Sequence, residues 1–143
     1  MTQLDLVREK VRRLRHVVEL LVSGLPGEGA VLQRDEDRLH LVSFRVYLGL
    51  QEALDLASHV ISDEGWGPVS SLREHFDVLA RQGVLDPQLA QELAAGVKIR
   101  NLIGHAYGDI DPVKLHAAAV LLPALLDRFC AQVLAFAEQA TPR

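Results

Sequence analysis

Cysteine is almost absent: Cys130 is the single one in 143 residues. One thiol cannot close an intrachain disulfide and falls far short of a thiolate metal cluster, so a reducing cytoplasm is the expected setting. Aromatics are nearly as scarce, at 5%. The interior must then come from Leu, Val and Ala, which suits helices better than sheets. No alternating apolar–polar run of useful length appears, nor any internal repeat or low-complexity tract. Asp5, Arg8, Glu9 and Lys10 interrupt the N-terminus before an apolar stretch can develop, so no signal peptide is expected. The longest apolar run, residues 117–126, is shorter than a bilayer-crossing helix and contains Pro123, so no membrane partner is expected.

Chemistry is missing in informative ways too. His16, His40, His75 and His116 lack a partner His with a carboxylate or cysteine at ligand spacing, so neither a metal site nor a cofactor is expected. Gly24, Gly27 and Gly29 are not followed by Gly-Lys-Ser/Thr, which excludes a phosphate loop. The paired acids of a nucleotidyltransferase are absent as well. A net charge of −4 argues against a surface that coats nucleic acid indiscriminately. Basic residues nonetheless cluster at Arg8, Lys10, Arg12, Arg13 and Arg15, and Arg outnumbers Lys twelve to three. Such a run is most simply a solvated helix face, with RNA or an acidic partner as the alternatives.

What remains is helical periodicity. Leu4, Val7, Val11, Leu14, Val18 and Leu21 form one apolar stripe that stops at Gly24. A second helix starts between Arg34 and Asp37, where acids suit the positive end of its dipole, and ends at Gly65. Its stripe is Leu39, Val42, Val46, Leu50, Ala53 and Ala57, and its opposite edge carries Glu52, Asp55 and His59. Ser71 and Glu74 have capping-box spacing for a short helix that buries Leu72, Phe76 and Leu79 and ends at Gly83. Asp86-Pro87 and Asp111-Pro112 each read as an N-cap followed by the first helical residue. The last helix runs to about Gln139, and Pro123 is expected to kink or split it. The prediction is a single all-α domain over residues 1–143, a mostly antiparallel bundle of four long helices and one short one.

One stretch carries chemistry. Arg100 and Asn101, then Gly104, His105 and Tyr107, then Gly108 and the Asp109 to Pro112 exit, place a permanent cation, an imidazole and a phenol within eight residues. Phosphodiester cleavage without a metal needs such groups: a base for a ribose hydroxyl and a planar cation for charge building on phosphorus. Each residue alone has a plain structural reading, as ion pair, satisfied histidine or half-buried phenol. In an unbroken helix Arg100 and His105 would point about 140° apart. They converge only if the chain leaves the helix near Gly104, or if two copies meet across a dimer axis. Asp55 and His59, four apart, suggest a helical hydrogen bond.

The string resembles the Arg-x4-His-x-Tyr signature of HepT-family HEPN-domain toxins. Residues 52–59 and 76–84 are also similar to segments of that family, so the resemblance covers most of the chain. It implies an HEPN-like bundle and a metal-independent RNA endonuclease toxin whose cleft forms in a homodimer. His105 would be the base, Arg100 the phosphate clamp and Asn101 the group that orients phosphate or imidazole; Asp55 is a candidate supporting group by its position alone. It further implies that a partner nucleotidyltransferase antitoxin silences the toxin by AMPylating Tyr107, within a larger hetero-oligomer. The residue before the family histidine is more often β-branched; Gly104 here predicts a looser His105. The alternatives are a non-catalytic nucleotide-binding or regulatory subunit of a nucleotidyltransferase complex, and a purely structural helical dimer.

Overall fold

The structure, a computed structural model, describes residues 2–105 and 109–140. Among them are six helices: α1 (Leu4–Gly24), α2 (Ala30–Arg34), α3 (Glu36–Glu64), α4 (Glu74–Arg81), α5 (Pro87–His105) and α6 (Pro112–Ala140). The four long helices are those expected, and α4 is the expected short one. The single turn α2 is an addition, seated against α3 and α6 with Leu32 buried.

Side-chain pairs fix the directions. Thr2 donates to Glu64, Arg13 meets Glu52, and Arg45 donates to the Leu20 carbonyl, so α1 and α3 run antiparallel. Gly96 lies beside Leu50 and Gly104 beside Tyr47, with Arg100 reaching Gln51 and Tyr47 between them, so α5 runs antiparallel to α3. The predicted stripes form the core: Val7, Val11, Leu14, Val18 and Leu21 from α1, and Val42, Val46, Leu50, Ala53 and Ala57 from α3 are all buried. Phe76 and Phe129 meet edge to face at 5.8 Å, joining α4 to α6. Such a pair adds about 0.5–1.5 kcal/mol beyond its buried area.

The caps act largely as the sequence indicates. Asp35 accepts from the Arg38 amide at 3.1 Å, and Gly65 closes α3 in the left-handed region at φ 72. Gly83 follows α4 at φ 77. Asp111 accepts from the amides of Val113 and Lys114 and starts α6. Three local readings need correction. Ser70, not Ser71, joins Glu74: its amide and hydroxyl both donate to the carboxylate and hold the Glu74 carboxyl below its ordinary range. Leu72 lies before α4 and is 37% exposed, because the helix begins two residues later than the capping box implied. Pro123 does not split α6, which continues to Ala140; the flanking Ala119, Leu122 and Leu126 are clamped in the core. By length and composition α6 is apolar enough to cross a membrane. One third of that apolar window is buried, where α6 packs on α1, α2, α3 and α5, while Val113, Val120 and Leu121 stay exposed.

Candidate active site

Arg100 lies on α5 where that helix crosses α3. Gly96, one turn earlier, sets the approach: a Cβ there would stand 3.1 Å from Leu50 Cδ2, tighter than packing normally allows. The missing side chain lets α5 settle close enough for Arg100 to reach across.

The guanidinium is half-buried and fully engaged on its near side. Nε and Nη2 both donate to Gln51 Oε1, at 3.1 and 2.7 Å. Nη1 donates to Asn101 Oδ1 at 3.0 Å, and Nη2 also reaches Tyr47 Oη at 3.2 Å. The cation stands 4.9 Å from the centroid of the Tyr47 ring, within cation–π range. Every one of these partners is neutral. Among the described residues no carboxylate pairs with Arg100, so its charge is positioned without being neutralised.

Gln51 is the hinge of the network. Its Nε2 donates to Asp55 Oδ1 at 3.1 Å. Arginine has only donors, so the Gln51 oxygen must face Arg100 and its nitrogen must face Asp55. Asp55 therefore acts on the arginine through Gln51, a full amide away. The expected Asp55–His59 bond is replaced by this one: Gln51 also lies four residues from Asp55 and is itself pulled toward Arg100. Glu52, read on the same edge, instead faces α1 and pairs with Arg13 at 3.7 Å.

His105 is the last residue of α5 and is exposed. The helix continues through Gly104 and ends one residue later at His105, so of the two routes to convergence a departure before the histidine is not taken. Gly104 packs beside Tyr47, where a Cβ would sit 3.5 Å from Cε2, an ordinary contact that would even admit alanine. Arg100 and His105 therefore diverge by about 140° around α5. Among the described residues no hydrogen bond joins them. Tyr107 lies outside the described residues.

Tyr47 and Gln51 were not singled out in the sequence. Their signal is the spacing of positions 47, 51 and 55, three polar-tipped residues one helical turn apart on one edge of α3. Only the crossing with α5 shows what that edge faces.

Comparison with known proteins places this geometry. The chain is 34% identical over 68 residues to the tRNA nuclease HepT of Aphanizomenon flos-aquae (strain 2012/KM1/D3). That alignment covers 48% of this chain and 46% of that protein, less than half of either. The fold superposes with a TM-score of 0.82 on a tri-AMPylated HEPN toxin of Shewanella oneidensis, solved in complex with an MNT antitoxin. Identity there is 18%, over 94% of this chain and 99% of that one. It matches equally well, at a TM-score of 0.82 and 15% identity, YutE of Bacillus subtilis, a cytosolic protein of unknown function. That match covers 99% of this chain and 96% of YutE. These remote likenesses establish the all-α HEPN-like fold. The family model for ribonuclease HepT-like proteins matches residues 8–132, and the chain belongs to that family.

Proposed function

We propose that this chain is the ribonuclease toxin of a toxin–antitoxin pair and that Arg100 grips the scissile phosphate. The observation that carries the reading is the half-buried guanidinium held, among the described residues, by neutral acceptors alone. Structural arginines at such depth ordinarily meet a carboxylate, because an unpaired buried charge is costly. Here the positive charge is kept for an incoming anion. The relative named a tRNA nuclease supports RNA, and tRNA in particular, as the substrate.

The chemistry balances without a metal. The imidazole of His105 takes the proton of the ribose hydroxyl beside the scissile phosphate. The freed oxygen attacks phosphorus, the bond to the next nucleotide breaks, and the leaving oxygen takes back the proton that the imidazole carries, giving a cyclic phosphate and a free hydroxyl end. Arg100 binds the equatorial oxygens as their charge grows, and Asn101 holds the guanidinium's other edge. Because Arg100 and His105 diverge on one helix, the cleft is composite: each imidazole serves the arginine of the second copy in a homodimer. Asp55, through Gln51, keeps Arg100 from turning away.

Tyr107 is the AMPylation target in this reading, and a nucleotidyltransferase antitoxin is the partner that modifies it, within a larger cytoplasmic hetero-oligomer. The AMPylated Shewanella toxin bound to its antitoxin supports this assignment. A nucleotide beside Arg100 would fill the phosphate site and repel RNA. The divergence of Arg100 from His105 also favours a second reading, a non-catalytic subunit in which Arg100 holds AMP.

Cleavage of purified tRNA separates the two. Wild type cuts, and His105→Ala loses about 10²–10⁴-fold in rate. Mixing His105→Ala with Arg100→Ala chains restores part of the activity, because one of the two composite clefts is then intact. Cutting that survives His105→Ala removes His105 as the base, and AMP binding with no cutting by wild type leaves the regulatory subunit standing.

A further inference from the structure

The seven aromatic side chains of this chain divide cleanly. Trp66 meets Phe136 at a tilt and Phe76 meets Phe129 edge to face, so four are consumed by packing. Tyr107 belongs to the motif. The remaining two, Phe44 and Tyr47, line one cleft of about 520 Å³ between α3 and the end of α5. Ile103 and Ile110 complete its apolar walls, and among the described residues no carboxylate lines it.

Three features of this cleft point to one ligand chemistry. Tyr47 is shared: its ring walls the cleft while its hydroxyl accepts from Arg100, so a flat apolar slot adjoins a cation reserved for phosphate. Phe44 leaves 60% of its surface exposed at the same place, a large uncommitted ring in a chain that has few. Ser43 lies in the floor at 6% exposure, and its hydroxyl is the one buried side-chain atom among the described residues with no hydrogen-bond partner. A hydroxyl both donates and accepts, so it can meet either kind of heteroatom on a planar ring edge. A flat π-face, an edge with heteroatoms and an attached anion together describe a nucleotide.

We propose that the Ser43–Phe44–Tyr47 cleft is a nucleobase subsite, stacking a base on Phe44 and reading its edge with Ser43 while Arg100 holds the attached phosphate. The proposal rests on the reading of Arg100 as a phosphate anchor. The base has two possible sources: the RNA substrate, or the adenine of an AMP group on Tyr107, since Gly104 and Ile110, which bracket that residue in the chain, both line the cleft. Stacking on an aromatic ring tolerates any base and is lost on truncation to alanine.

The test uses the full-length His105→Ala chain, which binds without cutting, and short single-stranded RNA carrying a fluorescent adenine analogue that dims on stacking. Binding is expected to quench the analogue. Phe44→Ala should abolish the quench and weaken binding by roughly 5–150-fold. An RNA abasic at that position should bind wild type and Phe44→Ala alike. Ser43→Ala should change the ranking of the four bases while leaving the abasic RNA unaffected. Competition by free AMP, with loss of the quench in the AMPylated chain, would assign the slot to both bases. A quench that persists through both would assign it to the RNA base alone.

Two results overturn the proposal. One is unchanged binding and quenching in Phe44→Ala. The other is a Phe44→Ala chain that sediments as a monomer and loses abasic RNA as well, which would mean that a second copy covers the cleft. Binding that ignores Arg100→Ala yet still responds to Phe44→Ala would sink the phosphate anchor and leave the base slot intact. Melting of each variant beside wild type verifies that the bundle is folded.

Discussion

Five basic residues crowd α1, and a single arginine stands near the end of α5, yet the two regions differ most in their partners. On α1, Arg8 faces Asp5 at 3.8 Å, Arg12 binds Glu9 at 2.6 Å and Arg13 reaches Glu52 at 3.7 Å. Arg12 in turn holds the exposed Glu9 carboxyl below its ordinary range. Among the described residues Arg100 meets only an amide, a second amide and a phenol. Charge that is answered locally contributes little to a distant anion, whereas charge fixed in place and left unanswered makes a receptor. On the proposed function, density of arginine along the sequence is a poor guide to the phosphate site.

The sharpest way to break that contrast is to remove each arginine in turn. Arg100→Ala should lower RNA cleavage by about 10²–10³-fold, and Arg100→Lys should recover little of it, because the fork that spans Gln51 and Asn101 is lost. A second step makes Arg100 resemble its α1 counterparts. Gln51→Glu places a carboxylate beneath the guanidinium, and RNA affinity should fall by about tenfold or more while the melting temperature holds. Unchanged affinity in that variant would show that neutral partners are not what matters.

The α1 face has one consequence for the interior. Cys130 is fully buried, and desolvation pushes its thiol from 9.0 up to about 11, while Arg15 draws it down and Asp127 pushes it up. The folded state thus favours the protonated thiol. This contribution is complete below the unfolded pKa and is lost as pH rises toward about 11. Urea midpoints should fall over that alkaline range in wild type and fall less in Cys130→Ala; equal slopes would remove the thiol as the cause. The smallest effect belongs to Arg12→Ala, which should leave the salt dependence of RNA binding unchanged. A drop of about one in that slope would make Arg12 a phosphate contact and erase the contrast.

Much of the helix layout was legible because its signals are local. Asp35, Gly65, Gly83 and Asp111 mark ends through hydrogen bonds and backbone angles made within a few residues. The Arg100–His105 motif was legible because its residue types are rare together. Other features were not. The serine that binds Glu74 depends on which of two neighbours the loop turns inward, and α2 exists because Leu32 finds a buried seat against α3 and α6. Gly104 permits a break, but continuing the helix lets α5 keep its contact with Tyr47.

By itself the sequence determined an all-α chain, four long amphipathic helices and a cation, amide and imidazole spaced along the fifth helix of the fold. Period and capping act over one or two turns, so a linear reading reaches them. The crossing of α5 over α3 decided the rest: that Tyr47 and Gln51 hold Arg100, that Asp55 reaches it through an amide, and that Phe44 and Tyr47 line a cleft beside the charge. Those partners lie about fifty residues apart in the chain, and only close packing at Gly96 brings them within hydrogen-bond reach.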